Sequence, residues 1–347
     1  MFKTINSDLC HDNILQNLEP KLRFNPKRDY KEWKKEVSQK LTELLGMEHM
    51  KANVCELNVE VEEEIEKEGY RRIRFTFESE KGCTVPCYLL IPKGERGKKY
   101  PLAIILQGHS TGFHLSIGIA KEPGDEKKIN DRGILAEQAV ENGFACLCIE
   151  QRGMGESLSP KCADKEGHRC AIPALTAINL GRTLIGERVF DVMRGIDALK
   201  SFEHLGLDLE KIIITGNSGG GTVSYYAACI DERIKISIPS CSVCKFKDSI
   251  MAMSHCVCNF IPDICNWFEM EDIACLIAPR PLIVVAGQKD AIFPIEPTRQ
   301  TFEVIKEIYK AAGVEENCRL VETPMHHFWC KDLVWEAIRE QKAKLGW

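Results

Sequence analysis

The first feature of the sequence that could carry out chemistry is a single serine set among glycines. Ser218 lies in the run ITGNSGGG (214–221), directly after the apolar stretch KIII (211–214). A simple turn needs one glycine, whereas four here indicate that two backbone segments pass too closely for side chains between them. A serine hydroxyl held at such a bend is a candidate nucleophile. The alternative is a glycine-rich turn in which the serine only caps a helix.

A serine nucleophile needs a base to remove its proton, and the base needs a carboxylate to orient it. The stretch VVAGQKDAIFP (284–294) places Asp290 just after an apolar run, and TPMHHFWC (323–330) then supplies two histidines. The order serine, acid, histidine is the order found where G-x-S-x-G forms a nucleophile elbow between a strand and a helix. Taken from the residues alone, either His326 or His327 could be the base.

Acyl transfer also needs hydrogen-bond donors for the oxygen that becomes negatively charged. The backbone amide of Gly219 is one candidate, because it would lie at the N-terminus of the helix that follows the serine. The second donor should come from the loop LQGHSTGFH (106–114), where the amide of His109 or of Ser110 would suit. The side chains of His109 and His114 could line the substrate pocket or could hold this loop in place.

The elements that would position these residues are short apolar runs alternating with helical segments. The runs are too apolar to leave a face exposed to water, so we expect a mostly parallel sheet with helices on both faces. Residues 54–92 instead alternate apolar and polar side chains, which predicts antiparallel strands. Residues 29–48 have apolar side chains at helical spacing and predict an amphipathic N-terminal helix. The apolar runs are 102–108, 144–150, 211–216, 235–240, 281–287 and 318–324.

One connection between two core strands, residues 241–275, is too long for a simple loop. It is rich in Met, Phe and Trp, which predicts a cap over a pocket. His255 and Trp267 are its best candidates for substrate contacts, although a well-packed cap would use the same residue types. We therefore expect one domain over residues 1–347, with a helical extension at 1–50 and this cap segment at 241–275.

Composition and charge narrow the classes of partner. The net charge of −5 over 347 residues provides neither a basic patch for nucleic acid nor a polybasic membrane anchor. The N-terminal residues lack the apolar stretch of a signal peptide, and no run approaches 18 apolar residues. We expect a cytoplasmic protein that binds neither nucleic acid nor membrane.

The sequence has seventeen cysteines. A secreted disulfide-rich protein would be short, so we expect reduced thiols that serve largely as small hydrophobic side chains. The spacing of the cysteines matches no zinc ribbon or knuckle, and we predict no metal site. Two closely spaced cysteine pairs are nevertheless candidates for a metal or redox site. They are Cys241 with Cys244, and Cys256 with Cys258, the second of which has His255 and Cys265 nearby.

One helical segment, GERVFDVMRGIDAL (186–199), has charged side chains at i, i+3 and i+4 spacings. Residues at these spacings lie on one helix face and can pair. We interpret them as a structural ion-pair set beneath the site and not as catalysts: Glu187, Arg188, Asp191 and Arg194.

At these residues the chain resembles the α/β-hydrolase superfamily, and within it the acetyl xylan esterase-like and dienelactone hydrolase-like bacterial proteins. The resemblance covers residues 85 to 340, and it implies that Ser218, Asp290 and His327 form a catalytic triad. His327 is preferred because such proteins usually have the histidine two residues before an aromatic, here Trp329. Their preceding glycine is replaced by His326, which therefore stays an alternative. The matching stretches are LQGHSTGFH, EQRGMGES, GRTLIGERVFDVMRGIDAL, GNSGGGT, SIMAMSHCVCNFIPDI, IAPRPLIVVAGQKDAIFP and HHFWCKDLVW.

The residues and the resemblance together predict a serine carboxylic-ester hydrolase that works through an acyl-enzyme on Ser218, with no metal or organic cofactor. We expect a small-molecule substrate with a short acyl group, acetyl above all, on a small alcohol or sugar, because Met-rich walls suit a small acyl group. The missing glutamine in GNSGGG weakens the sugar-acetyl assignment, and a thioesterase or lactonase stays open. A serine peptidase or a non-catalytic binding protein is less favoured. Assembly into a homo-oligomer also stays open.

Overall fold

The computed structural model describes residues 6–94, 97–162 and 169–347. A nine-stranded sheet runs through it in the order β1-β2-β3-β5-β4-β6-β7-β8-β9. The first three strands and the β3–β5 pair are antiparallel, and all later pairs are parallel. The strands are β1 (Glu60–Glu66), β2 (Tyr70–Glu80), β3 (Cys83–Pro92), β4 (Tyr100–Leu106), β5 (Ala145–Ile149), β6 (Leu207–Asn217), β7 (Ile234–Ser240), β8 (Leu282–Gly287) and β9 (Cys318–Thr323).

Helices cover both faces of the sheet, which explains the uniformly apolar central strands. In β4, Leu102 and Ile104 belong to one apolar cluster, whereas Ala103 and Ile105 belong to another. Alternate side chains of a strand point to opposite faces, so the two clusters are the two covered faces. The predicted mostly parallel sheet flanked by helices, the α/β-hydrolase fold, is confirmed. The helices are α1 (Asp8–Gln16), α2 (Tyr30–Leu44), α3 (Met47–Lys51), α4 (Asp125–Arg132), α5 (Leu135–Glu141), α6 (Ala171–Asn179), α7 (Leu184–Ala198), α8 (Gly219–Ile230), α9 (Ile295–Ala311) and α10 (Lys331–Lys344).

The N-terminal segment is helical, as predicted, but the amphipathic helix is interrupted. α2 buries Trp33, Val37 and Leu41 on one face and ends at Leu44. Gly46 then adopts a φ of 74°, in the left-handed region, and the short helix α3 follows. A left-handed glycine ends a helix because it turns the chain without a side-chain clash. The prediction of one continuous helix over residues 29–48 therefore missed this break, because apolar periodicity does not show where a helix ends. Residues 1–5 of the predicted extension lie outside the described residues.

The cap segment (241–275) enters between β7 and β8 and contains neither an α-helix nor a strand. It consists of four short 3₁₀ turns joined by irregular chain, all within the described residues. Its apolar side chains Ile250, Ile264 and Phe268 are buried in the larger apolar cluster. The segment is thus packed onto the sheet domain along much of its length.

The parallel strands bring the predicted site residues to one edge of the sheet. Ser218 follows β6, Asp290 follows β8, His327 follows β9, and the loop 107–114 follows β4. In open α/β sheets, ligands bind outside the carboxyl ends of the strands, where such loops meet. None of the helices in the described part of the chain has the length and apolar content needed to cross a bilayer.

Candidate active site

Ser218 lies at a sharp bend between β6 and α8. Its φ of 57° and ψ of −125° place it in a region that non-glycine residues rarely adopt. Such a conformation costs about 1–3 kcal/mol and persists only where the surroundings impose it. Here the Ser218 amide donates to the Ser240 carbonyl at 2.8 Å, which ties the bend to β7. The geometry is that of a nucleophile elbow.

The surrounding glycines permit a close approach of backbones. A Cβ on Gly216 would lie 2.6 Å from the carbonyl carbon of Gly220, and a Cβ on Gly220 would lie 2.7 Å from the Gln107 carbonyl oxygen. Neither distance is compatible with a side chain. The need for glycine at these two positions is therefore steric, because strand, helix and the loop after β4 share one small volume.

Asp290 and His327 form a hydrogen-bonded pair. Nδ1 of His327 lies 2.8 Å from Oδ2 of Asp290, whose side chain is fully buried. The other carboxylate oxygen accepts from the amides of Ile292 at 2.8 Å and Phe293 at 3.1 Å. Burial alone would raise the pKa of Asp290, but the hydrogen bond and charge of His327 and these two amides outweigh it and lower that pKa. An ionised Asp290 can hold the imidazole in one tautomer and one orientation.

The imidazole of His327 also stacks on an aromatic ring, and its second nitrogen has no hydrogen-bond partner in the described part of the chain. The ring of Phe293 stacks on it with centroids 5.8 Å apart and planes 12° apart. Nε2 of His327 is buried and has no hydrogen-bond partner among the described residues, so the hydrogen bond to Ser218 Oγ is not formed. In enzymes without bound substrate, such catalytic hydrogen bonds are often long or unformed. Nε2 is the nitrogen that a base must keep available.

His326 points elsewhere. Its side chain is exposed, and Nδ1 lies 3.1 Å from the Lys289 carbonyl oxygen. The structure therefore pairs Asp290 with His327 and turns the neighbouring histidine toward solvent. Sequence reasoning did not single out Phe293, whose position three residues after Asp290 was the only signal for it.

The loop after β4, residues 107–114, passes directly over the elbow and is called the oxyanion loop below. A Cβ on Gly108 would lie 3.2 Å from Cβ of Ser218. The backbone nitrogen of His109 lies 3.9 Å from the position that a Cβ on Gly219 would occupy. First-turn amides of a helix lack intrahelical partners, so the Gly219 amide can donate outward. The amides of Gly219 and of His109 or Ser110 therefore stay the candidate donors to an oxyanion at Ser218.

Of the three predicted substrate contacts, His255 lies beside the catalytic pair. Its ring meets Phe293 edge-on, with centroids 6.0 Å apart. Burial and the nearby imidazoles of His109 and His327 lower the pKa of His255. A neutral imidazole in this position can donate or accept a hydrogen bond from a substrate.

Trp267 lies against the N-terminal segment. Its ring packs under the ammonium groups of Lys21 and Lys40, at 4.2 and 4.0 Å from the centroid, and Nε1 donates to Asp263. These contacts correct its assignment to the substrate pocket, since its π face is already occupied by two cations.

His114 is buried and holds the oxyanion loop, which is the second of the two roles considered for it. Nε2 lies 3.0 Å from Oδ2 of Asp125, and Thr111 donates to Oδ1 of the same carboxylate at 2.6 Å. The amides of Lys121 and Glu122 also donate to Asp125. The structure thus places His114 inside the protein and not on a pocket wall.

We expect Asp125→Asn to destabilise the protein by an amount that depends on pH. Burial would raise the pKa of Asp125, but the hydrogen bonds of Thr111 and His114 and the two amides lower it. A carboxyl whose folded pKa lies below its unfolded value of about 3.9 contributes stability above that pH and loses it in acid. The free energy of unfolding should fall by about 2 kcal/mol at neutral pH. The difference should shrink as pH falls below about 4.

Urea denaturation of the two proteins between neutral and acid pH measures this difference. Asp131→Asn, an exposed aspartate of the same helix α4, is the matched control and should behave like the unsubstituted protein. A difference between Asp125→Asn and the parent that does not vary with pH would contradict the assignment.

The charged face of α7 is only partly as predicted. Asp191 pairs with Arg152 at 2.7 Å, and Glu187 pairs with Arg182 at 3.0 Å, so both partners come from outside the helix. Arg188 joins neither pair. Its guanidinium donates to the sulfurs of two cysteines, because it lies on the buried face of α7.

A cavity of about 380 Å³ opens beside the oxyanion loop. Its size suits a small ligand. The lining combines polar and sulfur-containing side chains and comes from five separate segments, represented by His109, Lys128, Met154, Cys170 and Cys256.

Comparison with known proteins agrees with this architecture. The chain matches the Abhydrolase family over residues 3–342. The hydrolase YtaP of Bacillus subtilis, provisionally so named, is 24% identical over 259 residues, covering 73% of this chain and 81% of YtaP. A provisionally named acetyl xylan esterase of Bacteroides fragilis has a TM-score of 0.80 at 17% identity, covering 98% of this chain and 96% of that one. A glucuronoyl esterase from Solibacter usitatus has a TM-score of 0.65 at 14% identity, covering 90% and 93%. The chain therefore belongs to the Abhydrolase family, within the α/β-hydrolase superfamily.

Proposed function

We propose that the protein is a serine carboxylic-ester hydrolase that forms an acyl-enzyme on Ser218. One observation carries the proposal: a strained serine at the elbow shares a sheet edge with a histidine that is paired to a buried carboxylate at 2.8 Å and has a free Nε2. These are the nucleophile, base and orienting acid of acyl transfer.

In the proposed reaction, Nε2 of His327 takes the proton of Ser218 as Oγ attacks the ester carbonyl. The carbonyl oxygen becomes an oxyanion and accepts hydrogen bonds from the amides of Gly219 and of His109 or Ser110. His327 then gives the proton to the departing alcohol, and the acyl group stays on Ser218. Water, activated by His327 in the same way, releases the acid. Asp290 stabilises the imidazolium that forms in both halves of the reaction.

The names of structural neighbours support an ester as the substrate class. They include an acetyl xylan esterase from Paenibacillus sp. R4 and glucuronoyl esterases, all of which are named for ester cleavage. We propose a short acyl group, acetyl in particular, on a small alcohol or sugar.

A panel of p-nitrophenyl esters from acetate to decanoate tests the acyl-chain preference. We expect kcat/KM to be highest for the shortest esters and to fall at least about tenfold beyond six carbons, since a site that fits a small acyl group gains nothing from extra methylenes that it has no room for. Acetylated xylo-oligosaccharides, run in parallel, test the sugar alcohol. Ser218→Ala protein provides the background rate. Rates that climb steadily with chain length would rule out the short-acyl proposal.

A thioesterase is the competing assignment, because it would use the same residues. Acetyl esters and acetyl thioesters of matched leaving groups distinguish the two. Labelling by a fluorophosphonate reports on the serine itself, independently of the substrate. A protein that is not labelled at Ser218 would contradict the acyl-enzyme mechanism.

A further inference from the structure

Outside the catalytic pair, one cluster of potential metal ligands stands out. A ring nitrogen of His109 and the sulfurs of Cys170, Cys256 and Cys258 all lie within 4.8 Å of one another. Nε2 of His109 is 3.1 Å from Sγ of Cys258. None of the three cysteines is in a disulfide. Four ligand atoms thus converge on one point although they come from three segments far apart in the chain.

The donor set and its geometry suit a zinc ion. Three thiolates and one imidazole are a common set for structural zinc, with Zn–S distances of about 2.3 Å in a tetrahedron. The edges of such a tetrahedron are about 3.5–3.8 Å long. Mutual distances below 4.8 Å allow this arrangement after small side-chain shifts. Softer sulfur ligands also disfavour magnesium and calcium.

A buried positive charge next to the cluster also favours a zinc–thiolate site. Arg188 is fully buried, and it donates to Sγ of Cys258 at 3.3 Å, to Sγ of Cys170 at 3.2 Å and to the Arg152 carbonyl. Among the described residues it has no ion pair with a carboxylate. A buried guanidinium facing neutral thiols would leave its charge uncompensated, which is costly. Zn²⁺ with three thiolates and a neutral imidazole has a net charge of −1, which balances Arg188.

We propose that His109, Cys170, Cys256 and Cys258 bind one Zn²⁺ as a structural site. Four protein ligands close the coordination sphere, which separates this role from a catalytic zinc that keeps one position open. Binding releases the thiol protons to solvent as the thiolates form. Arg188 hydrogen-bonds two of these thiolates, as partners of metal ligands commonly do.

The ion would fasten three irregular segments together. Cys170 precedes α6, Cys256 and Cys258 lie in the cap segment, and His109 belongs to the oxyanion loop. The ring of His109 also packs on Gly219, where an added Cβ would lie 3.1 Å from Nδ1. The site therefore holds the cap segment against the loop that faces Ser218. The zinc ion would thus stabilise the fixed conformation of the cap segment, which has neither an α-helix nor a strand to stabilise it.

The decisive measurement is the metal content of the full-length protein, purified with a thiol reductant and without chelator. We expect about one zinc per chain. Replacement of zinc by Co²⁺ should give the intense visible bands of a tetrahedral cobalt–thiolate site. Removal of zinc by a chelator should lower Tm by about 10 °C, because a ligand bound only by the folded state stabilises it.

Variants locate the site. Cys170→Ser and Cys256→Ser should each lower the zinc affinity at least about tenfold, since each leaves only three of the four ligands and even the loss of a ligand's hydrogen-bond partner costs this much. Cys265→Ser is the matched control, because this partly buried cysteine lies in the same cap segment outside the cluster, and it should keep its zinc. The proposal is overturned if the parent protein contains no zinc and binds no Co²⁺, or if two of the three thiols are joined in a disulfide. It is also overturned if Cys170→Ser and Cys256→Ser retain the zinc affinity of the parent. The parent-protein measurements decide the matter even if a variant fails to fold.

Discussion

Replacing Ser218 with alanine is expected to lower kcat toward short-chain esters by a factor on the order of 10⁴ to 10⁶. In the proposed mechanism the Ser218 hydroxyl attacks the ester carbonyl, and alanine has no group that can form the acyl-enzyme. The folded structure should survive the change. Ser218 Oγ forms no hydrogen bond among the described residues, and the strained backbone is held by the Ser240 carbonyl. Any rate enhancement that the variant keeps over the uncatalysed reaction in water would come from the oxyanion donors and from substrate binding.

Steady-state kinetics on p-nitrophenyl acetate measure this loss, and fluorophosphonate labelling should disappear with it. Ser254→Ala, an exposed serine of the cap segment, is the matched control and should keep both properties. If Ser218→Ala retained more than about one per cent of the parent kcat, a different nucleophile would have to be sought, because triad nucleophiles contribute far more than this.

The second large effect concerns the base. His327→Ala should lower kcat by a factor on the order of 10⁴ to 10⁶, because serine without a base is a poor nucleophile near neutral pH. His326→Ala should change kcat by no more than about threefold, as is usual for an exposed side chain away from the reacting atoms. The physical reason is orientation: His327 faces the buried Asp290 carboxylate, while His326 bonds the Lys289 carbonyl.

The two histidine variants control each other, since they are neighbours of equal size and chemistry. His326→Ala should unfold at nearly the same urea concentration as the parent, whereas His327→Ala should unfold at a lower concentration because it removes a hydrogen bond to the buried Asp290 carboxylate. Both variants should still be folded without urea, so that a difference in kcat reports on the reaction. Loss of activity at position 326 with activity kept at 327 would overturn the assignment. Equal losses of kcat in the two variants would indicate that each disturbs the loop after β9, and would not identify a single base.

Much of the fold could be predicted because its signals are local. Apolar runs that leave no hydrophilic face require cover on both sides, and they correctly predicted the parallel strands from β4 onward. G-x-S-x-G between a strand and a helix predicted the elbow, since the close approach of Leu106, Gly216 and Gly220 backbones excludes side chains wherever this bend occurs. Helix ends were less certain: the break at Gly46 depends on one backbone angle that periodicity does not register.

Within the site, chain order restricted the candidates and tertiary structure assigned their positions. The sequence by itself placed a serine, an aspartate and a pair of histidines after three of the predicted strands, in that order along the chain. Which of two adjacent histidines meets Asp290 depends on the path of the chain after β9, because the backbone bends at these two residues and their spacing in the sequence does not reveal the direction of that bend. Likewise His114 and Trp267 looked equally suited to a pocket, and only packing placed one against Asp125 and the other beneath two lysines.

The cysteine cluster depended entirely on tertiary structure. Sequence spacing drew attention to His255 and Cys265 as companions of Cys256, whereas the fold brings in His109 and Cys170 from loops that are distant in the chain. Ligand spacing is informative only when a short motif supplies most of the ligands, as in ribbons and knuckles. Here each segment contributes one or two atoms, and they meet because the cap segment folds back over the carboxyl edge of the sheet. The buried Arg188, predicted from its helix position to pair with carboxylates, meets sulfur instead, since the side of α7 on which it lies faces that junction.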